Sequence, residues 1–171
     1  IEMADAPAAA LRRKPKASIR VAADLVARGE AGALFSAGHT GATVMAAYGA
    51  LGLLPGVDRP ALATTIPTRV RAAVLLDAGA NVECRPQHLL QFAVMGSVYA
   101  QVALGIERPR VGLLSNGGEP GKGTPLTREA HTLLAAASGT FQYIGYVEGS
   151  DLFRGVVDVV ATDGFTGNVV L

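Results

Sequence analysis

The stretch Arg110-Val-Gly-Leu-Leu-Ser-Asn-Gly-Gly-Glu-Pro-Gly-Lys-Gly-Thr-Pro-Leu-Thr127 indicates the fold class of this 171-residue chain. Its first five residues, 110–114, are mostly apolar and predict a short strand, which the glycine-rich loop from Ser115 to Gly123 follows. Thr124 before Pro125 is typical of a helix start, so we expect a helix from Pro125 to Ala137. Strand, glycine-rich loop and helix in this order favour an α/β sheet.

The same order of elements occurs twice more. Ala33 to Ser36 predicts a strand, followed by a tight turn and a helix from Ala42 to Leu53. Val156 to Thr162 predicts another strand, which leads into the loop from Asp163 to Asn168 and a new helix. Strands that alternate with helices indicate a layered α/β fold with a mainly parallel sheet.

Other segments complete the predicted pattern. Ser18 to Arg28 has the spacing of an amphipathic helix, and Phe141 to Val147 predicts a strand. Ala61 to Ile66 and Ala72 to Leu76 predict two strands that a turn at Pro67 would join as a hairpin. The hairpin would add one antiparallel strand to the sheet.

A long helix is predicted from Pro86 to Leu104, ending at Gly105. Its apolar side chains lie around most of the helix, so we expect it to be largely buried, in part against another subunit. These side chains are Leu89, Leu90, Phe92, Val94, Val98 and Val102.

Composition limits the class of protein. Half of the residues are hydrophobic, 17% are charged and the net charge is +1, which predicts one globular domain over residues 1–171 and no nucleic-acid partner. The basic residues between Arg12 and Lys16 predict a solvated helix end. Ile1 and the break at Leu171 lead us to expect a chain cut at both ends.

Cys84 is the only cysteine, so no internal disulfide can form and no paired thiols suggest a metal site. No paired carboxylates or other metal-ligand spacing is evident, so we expect no metal and no cofactor. Glycine, proline or charge interrupts each apolar stretch before it reaches the roughly 18 to 20 residues of a spanning helix. With no visible signal peptide, we expect a cytoplasmic protein.

Three glycine-rich loops follow predicted strands and precede predicted helices, at Ser36 to Gly41, Ser115 to Gly123 and Asp163 to Asn168. Loops that follow parallel strands meet at one edge of a sheet, and the amides at a helix start favour an anion such as phosphate. We therefore expect the three loops to converge on one site, although each could be only a tight connection. Neither a P-loop nor the G-x-G-x-x-G spacing of dinucleotide sites is present.

Several segments together resemble the PlsX family of phosphate acyltransferases, in the family's order and over nearly the whole chain. They are Ser36-Ala-Gly-His-Thr-Gly-Ala42, Pro55-Gly-Val-Asp-Arg-Pro-Ala61, Leu75-Leu-Asp-Ala-Gly-Ala-Asn81, His88-Leu-Leu-Gln-Phe-Ala-Val-Met-Gly-Ser-Val-Tyr99, Gly121-Lys-Gly123 and Asp163-Gly-Phe-Thr-Gly-Asn-Val-Val170. Two positions depart from the family: His39 stands where many members have Asn, and Ser115-Asn-Gly-Gly replaces an Asn-Ile-Gly-Glu type of sequence.

The resemblance implies an α/β three-layer sandwich with a mainly parallel sheet, like that of isocitrate and isopropylmalate dehydrogenases and phosphotransacetylases. It implies a homodimer that moves a fatty acyl group from acyl carrier protein to inorganic phosphate, for phospholipid synthesis. It also implies peripheral membrane association through segments outside this sequence. By the same resemblance, the chain would be the central portion of a longer protein and could be inactive alone.

Acyl transfer to phosphate requires alignment of two substrates and stabilisation of an oxyanion. We expect Lys122 to hold phosphate or the oxyanion, Asn168 to donate to a carbonyl, and His39 to bind phosphate or protonate the thiolate. Other predicted substrate-binding residues are Ser36, Gly38, Thr40, Gly41, Asp77, Asn81, Gly121, Gly123, Asp163 and Thr166.

Simpler roles remain open for several of these residues. Lys122 could be an exposed loop lysine, and His39 could cap a helix. Asp77 and Asn81 could orient Lys122 or a pantetheine arm, or could only cap a turn. Nothing near Cys84 in sequence would activate its thiol, so we expect no covalent role for it.

Two other functions fit parts of the pattern. One is a phosphate acetyltransferase or dehydrogenase-like enzyme on the same fold, using CoA or a nicotinamide cofactor. The other is a noncatalytic fragment that binds acyl carrier protein.

Overall fold

A computed structural model describes residues 1–119, 121–137, 139 and 141–171. The chain divides into two compact units, residues 1–60 and residues 61–171. Pro120, within the predicted loop from Ser115 to Gly123, lies outside the described residues. The expectation of a single domain over residues 1–171 stays a prediction.

Unit 1 consists of three helices: α1 at Pro7–Arg13, α2 at Ser18–Ala27 and α3 at Thr40–Leu51. They enclose a small core of the buried Leu11, Ala23 and Ala46. The predicted α2 and α3 are confirmed within a few residues, whereas α1 was not predicted. The predicted solvated basic helix end is the last turn of α1, which carries Arg12 and Arg13.

The predicted strand from Ala33 to Ser36 is wrong, because these residues have no regular secondary structure. A strand requires a neighbouring extended backbone, and unit 1, which is described throughout, contains only helices as regular elements. Leu34 instead packs against the helical core. The apolar character of the segment therefore reflects side-chain packing, which sequence alone does not separate from strand formation.

Unit 2 is built on a five-stranded sheet in the order β1-β2-β5-β3-β4. The strands are β1 at Thr64–Ile66, β2 at Ala73–Leu76, β3 at Arg110–Leu114, β4 at Gln142–Val147 and β5 at Val159–Ala161. β1 pairs antiparallel with β2 as the predicted hairpin, and the other pairs are parallel. The predicted α/β class with a mainly parallel sheet and one antiparallel strand is confirmed.

Helices cover one face of this sheet. α4 at Pro86–Leu104 and α5 at Pro125–Ala136 pack there against a continuous core that includes Leu89, Val111, Leu134 and Val159. The other face has a separate core around Leu75, Leu152 and Val160, to which a short 3-10 helix at Asp151–Phe153 contributes. α6 at Gly164–Val170 follows β5.

The prediction that α4 is largely buried is wrong for one face of the helix. Leu89 and Phe92 are fully buried, but Val94, Val98 and Val102 are 42%, 47% and 84% exposed. Positions four residues apart lie on the same face of a helix, so these valines form a row that points away from the sheet. Among the described residues, no helix combines the length and the apolar character needed to span a bilayer.

Candidate functional site

Two of the three predicted loops meet at one edge of the sheet in unit 2. β3 and β5 are parallel neighbours with Val111 opposite Val159 and Leu113 opposite Ala161, so both strands end at the same edge. A pocket of about 440 Å³ lies between the loops that follow them. Its lining residues are Leu114, Ser115, Asn116, Gly123, Thr124, Thr127, Thr162, Asp163 and Thr166.

The loop after β3 is closed by a side chain at its beginning. Asn116 Oδ1 accepts a hydrogen bond from the Gly123 amide at 2.8 Å, which ties the two ends of the loop together. Gly123 has φ +82°, and a Cβ atom at this position would overlap Thr127 Oγ1. The site therefore requires glycine at residue 123, for its backbone conformation and for space.

The first turn of α5 forms one wall of the pocket. Thr124 caps the helix, and its hydroxyl accepts a hydrogen bond from the Thr127 amide at 3.3 Å. Arg128 Nη1 donates to Gly123 O at 2.7 Å and so fixes the loop to the helix. The start of a twelve-residue helix carries a partial positive charge, which favours an anion in the pocket.

The loop after β5 is organised by its own carboxylate. Asp163 Oδ1 accepts from the Thr166 amide at 2.9 Å, and Asp163 Oδ2 accepts from Thr166 Oγ1 at 2.7 Å. These bonds cap α6 and occupy both carboxylate oxygens. Asn168 is exposed, and its side chain lies beside Gly79 of the loop after β2.

Asp77 is buried at the end of β2, where its carboxylate organises the following loop. Oδ1 accepts from the amides of Leu62, Gly79 and Ala80, at 3.0 to 3.1 Å. Oδ2 accepts from the backbone amide of Asn81 at 2.6 Å and from its side-chain amide at 2.8 Å. This arrangement matches the turn-capping role left open above, and a substrate contact by Asp77 or Asn81 stays a prediction.

α6 packs directly onto this loop. A Cβ atom at Gly167 would overlap Asp77 O, and a Cβ atom at Gly164 would lie 2.7 Å from Asn81 O. The two glycines therefore allow the helix to approach the loop backbone closely, which links the loops after β2 and β5.

Lys122 lies in the loop between the pocket residue Gly123 and Gly121. Its side chain is exposed, and a Cβ atom at the buried Gly117 would lie 2.9 Å from Lys122 Cγ, so the aliphatic part of the lysine packs over Gly117. Lys122 is not among the described residues that line the 440 Å³ pocket. Its role toward phosphate stays a prediction.

The remaining predicted site residues lie in unit 1. Ser36, Gly38 and His39 line a small cavity of about 100 Å³, and Ser36 Oγ accepts from the Gly38 amide at 3.2 Å. His39 precedes α3 without a side-chain capping bond, and its Nε2 lies 3.1 Å from Asp5 O. Thr40 and Gly41 form the first turn of α3. Their placement relative to the unit 2 pocket stays a prediction.

Sequence reasoning did not single out five polar lining residues: Ser115, Asn116, Thr124, Thr127 and Thr162. Each lies within or next to a predicted glycine-rich loop, so their position after a strand was the available signal. The described part of the chain contains no group of three His, Cys, Asp or Glu side chains that could hold a metal ion. Cys84 Sγ donates a long bond to Asn81 O at 3.5 Å.

The polar lining of the pocket consists of hydroxyl groups, the Asn116 side-chain amide and one carboxylate, that of Asp163, whose two oxygens accept hydrogen bonds from Thr166. Four of its lining residues carry hydroxyl groups besides Ser115, namely Thr124, Thr127, Thr162 and Thr166. Hydroxyl and amide donors bind an oxyanion without a change of protonation. The site can therefore hold a small anion and stabilise negative charge that develops next to it.

Known proteins resemble this chain in sequence and in fold. The profile of a family described as "Fatty acid synthesis protein" matches residues 1–171. Proteins named phosphate acyltransferase from Geobacter sulfurreducens and Syntrophotalea carbinolica are 55% and 54% identical over the whole chain. The chain spans about half the length of these curated relatives, 49% of each.

A solved structure shares the fold at low sequence identity. The phosphotransacetylase EutD from Staphylococcus aureus is 20% identical, with a TM-score of 0.66 over 95% of this chain and 59% of its own.

Proposed function

The chain belongs to the fatty acid synthesis protein family, as its PlsX-like motifs predicted, and on that premise we propose that the complete protein is a phosphate acyltransferase. It moves a fatty acyl group from acyl carrier protein to inorganic phosphate, and the acyl phosphate serves phospholipid synthesis. The observation that carries this proposal is the 440 Å³ pocket, where two glycine-rich loops and the start of α5 bring together five hydroxyl groups and the Asn116 side-chain amide. These groups suit phosphate.

In the proposed reaction, a phosphate oxygen attacks the thioester carbonyl carbon. The C–O bond forms, the C–S bond breaks, and the thiolate leaves with the electron pair and takes up a proton. Phosphate is already ionised at neutral pH, so the protein needs no strong base. It must hold two anionic or polarised groups together and stabilise the oxyanion of the intermediate.

The proposed roles follow the position of each group. Ser115, Thr124 and Thr127 hold phosphate beside the start of α5, and Lys122 neutralises charge where the phosphate meets the thioester. Asn168 donates to the carbonyl oxygen, and His39 binds phosphate or protonates the thiolate. Other proposed substrate-binding residues are Ser36, Gly38, Thr40, Gly41, Asp77, Asn81, Gly121, Gly123, Asp163 and Thr166, of which Asp77 and Asp163 act through the loops they cap.

Assembly and location belong to the same proposal. The complete protein has the three-layer arrangement of the dehydrogenase-like folds, acts as a homodimer in the cytoplasm, and contacts the membrane through segments outside this chain. The exposed apolar row of Val94, Val98 and Val102 on α4 supports a covering partner, since water-exposed apolar rows are unfavourable.

The proposal is tested with Lys122→Ala in the complete protein. We expect acyl phosphate formation from acyl carrier protein thioester to fall at least about tenfold, which is about 1.4 kcal/mol in barrier. The fold should persist, because the exposed lysine has little packing to lose. Lys122→Arg should restore only part of the rate, since a planar guanidinium does not occupy the position of a point charge.

Lys16→Ala is the matched control, because Lys16 is also exposed but lies in unit 1, outside the predicted site. Its rate should equal that of the parent. If Lys122→Ala also transfers at the parental rate with unchanged phosphate dependence, Lys122 has no role. If the complete parent protein forms no acyl phosphate from any acyl thioester, the proposed function is wrong.

A further inference from the structure

A second cavity, of about 320 Å³, borders the same loop as the phosphate pocket. Two of its lining residues, Gly118 and Gly121, belong to the loop after β3, and the rest come from α5 and β4. These others are Arg128, His131, Ile144, Gly145 and Tyr146. In sequence, Lys122 lies between Gly121, which lines this cavity, and Gly123, which lines the phosphate pocket, and Lys122 is not among the described lining residues of either. The two cavities therefore share the loop that carries Lys122.

One wall of the second cavity is a stack of rings. His131 lies over Tyr146 with ring centroids 4.7 Å apart, and its Nδ1 is 2.7 Å from Tyr143 Oη. Burial raises the pKa of the Tyr143 phenol, so this group stays uncharged. The stacked rings give the cavity a mostly apolar wall, which suits a chain with methylene groups.

Three glycines, Gly118, Gly121 and Gly145, also line the cavity. Among the described residues other than immediate chain neighbours, no heavy atom lies within 4 Å of a Cβ atom built on any of them, so each leaves open space above its peptide groups. Because glycine has no Cβ atom, a slender ligand can approach this backbone closely and form hydrogen bonds with it. A branched ligand cannot approach the backbone as closely.

The strand that lines the cavity, β4, is the last one in the sheet that the described residues form. β4 pairs with β3 at one end of the strand order, and its register shifts where Gly145 rather than Ile144 lies opposite Gly112. An edge strand presents backbone N–H and C=O groups that an extended amide chain can pair with. The cavity therefore combines backbone groups of β4 with the ring stack of His131 and Tyr146.

We propose that this second cavity receives the pantetheine arm that carries the acyl thioester. The arm is a slender chain of methylene groups and two amides, which matches the ring stack and the exposed strand edge. Arg128 also lines this cavity and donates to Gly123 O at 2.7 Å, so its guanidinium lies on the side of the cavity nearest the phosphate pocket. The inference rests on the proposed function, in which the thioester must reach the phosphate beside Lys122.

The test fills the cavity without touching the phosphate pocket. Gly118 does not have a positive φ and has open space at its Cβ position, so Gly118→Leu should fold normally and occupy the cavity. Gly149→Leu is the matched control, since Gly149 has the same two properties but does not line the cavity. Both variants are made in the complete protein.

Three acyl donors separate the sources of the arm: an S-acyl pantetheine, an acyl-CoA and acyl carrier protein thioester. We expect Gly118→Leu to raise the KM of each usable donor at least about tenfold while the KM of phosphate stays within about twofold. Binding of a nonreactive acyl pantetheine thioether, measured by calorimetry, should weaken by the same factor. Gly149→Leu should change none of these values.

Two results would overturn the inference. One is a Gly118→Leu variant with parental donor KM and thioether affinity; the other is a loss confined to the carrier protein, which would indicate a protein-docking surface. If no donor yields acyl phosphate but thioether binding still depends on Gly118, the proposed function fails and the pantetheine cavity stands.

Discussion

Polar and charged side chains are arranged differently at the two edges of the unit 2 sheet. At the edge where β3 and β5 end, hydroxyl groups and a helix start face a 440 Å³ pocket. At the edge where they begin, the carboxylate of Asp158 is 1% exposed and is surrounded by the guanidinium groups of Arg71 and Arg110. At the first edge, hydroxyl groups face an open cavity. At the second edge, the Asp158 carboxylate is paired with two arginines of the protein itself.

The geometry around Asp158 leaves little binding capacity. Arg71 donates to Oδ1 at 2.7 and 3.1 Å, and Arg110 donates to both carboxylate oxygens at 3.0 to 3.1 Å. Burial alone would raise the pKa of Asp158, but the hydrogen bonds from Arg110 and Arg71 outweigh it and lower that pKa. The charge at this edge serves to hold β2, β3 and β5 together.

This contrast separates groups that stabilise the fold from groups that can bind a substrate. Buried charges are usually satisfied within the protein, as at Asp158, so charge alone does not mark a site. Donors that line a cavity next to a helix start are the better indicator of an anion site. We therefore expect variants at the edge where β3 and β5 end to change the KM of phosphate, and variants around Asp158 to change only the free energy of unfolding.

The largest effect is expected from Gly167→Ala at the pocket edge. The new Cβ atom would overlap Asp77 O, so α6 must move away from the loop after β2. We expect the free energy of unfolding to fall by about 3 kcal/mol, as for other overpacked sites, and the KM of phosphate to rise. Denaturant unfolding and steady-state kinetics of the complete protein measure the two effects.

Gly49→Ala is the control for this substitution. Gly49 is also within a helix, α3, but apart from its chain neighbours and the backbone of its own helix, no atom of the described residues lies within 4 Å of its Cβ position. Alanine there should stabilise the protein by up to about 1 kcal/mol, because it is the better helix former. Equal stability of the two variants would show that α6 does not depend on close contact with Asp77.

A smaller loss is expected from Asp158→Asn at the opposite edge. Removing one partner of a buried ion pair costs about 3 to 5 kcal/mol, but Arg71 and Arg110 remain partly exposed, so we expect about 2 kcal/mol. Denaturant unfolding measures this loss. The KM of phosphate should not change, and a phosphate effect as large as that of Gly167→Ala would remove the distinction between the edges.

The pH dependence of this variant has a definite sign. The folded-state pKa of Asp158 is lowered from an unfolded value of about 3.9, so its stabilisation is present above about pH 4 and is lost as pH falls through the folded pKa. The stability difference between the parent and Asp158→Asn should therefore be constant near neutral pH and shrink below about pH 4. A difference that grows on acidification would contradict the lowered pKa.

Sequence patterns with a clear local cause were predicted well. Pro86 and Gly105 bound α4, and Thr124 and Pro125 begin α5, because capping and proline geometry act within a few residues. Leu113 and Val160 lie in short apolar runs that formed parallel strands as expected. The meeting of the second and third loops followed from that strand arrangement.

Features that depend on distant partners could not be predicted. α1 begins after Ala6 without a capping side chain, so Pro7 at its first position is its only start signal, and the prediction missed it. Leu34 packs on helices instead of forming a strand, and Val102 is exposed although its helix is apolar all round. The cavity beside His131 forms only where residues of α5, β4 and the loop after β3 come together.

The most direct test of the phosphate pocket is a titration of the complete, isotope-labelled protein with inorganic phosphate, followed by backbone amide chemical shifts. We predict saturable shifts with one dissociation constant for Ser115, Gly123 and Thr124, and no saturable shift for Arg71 or Arg110. Saturable shifts at the two arginines alone, or none at the pocket residues at phosphate concentrations that support turnover, would contradict the assignment of phosphate to the edge where β3 and β5 end.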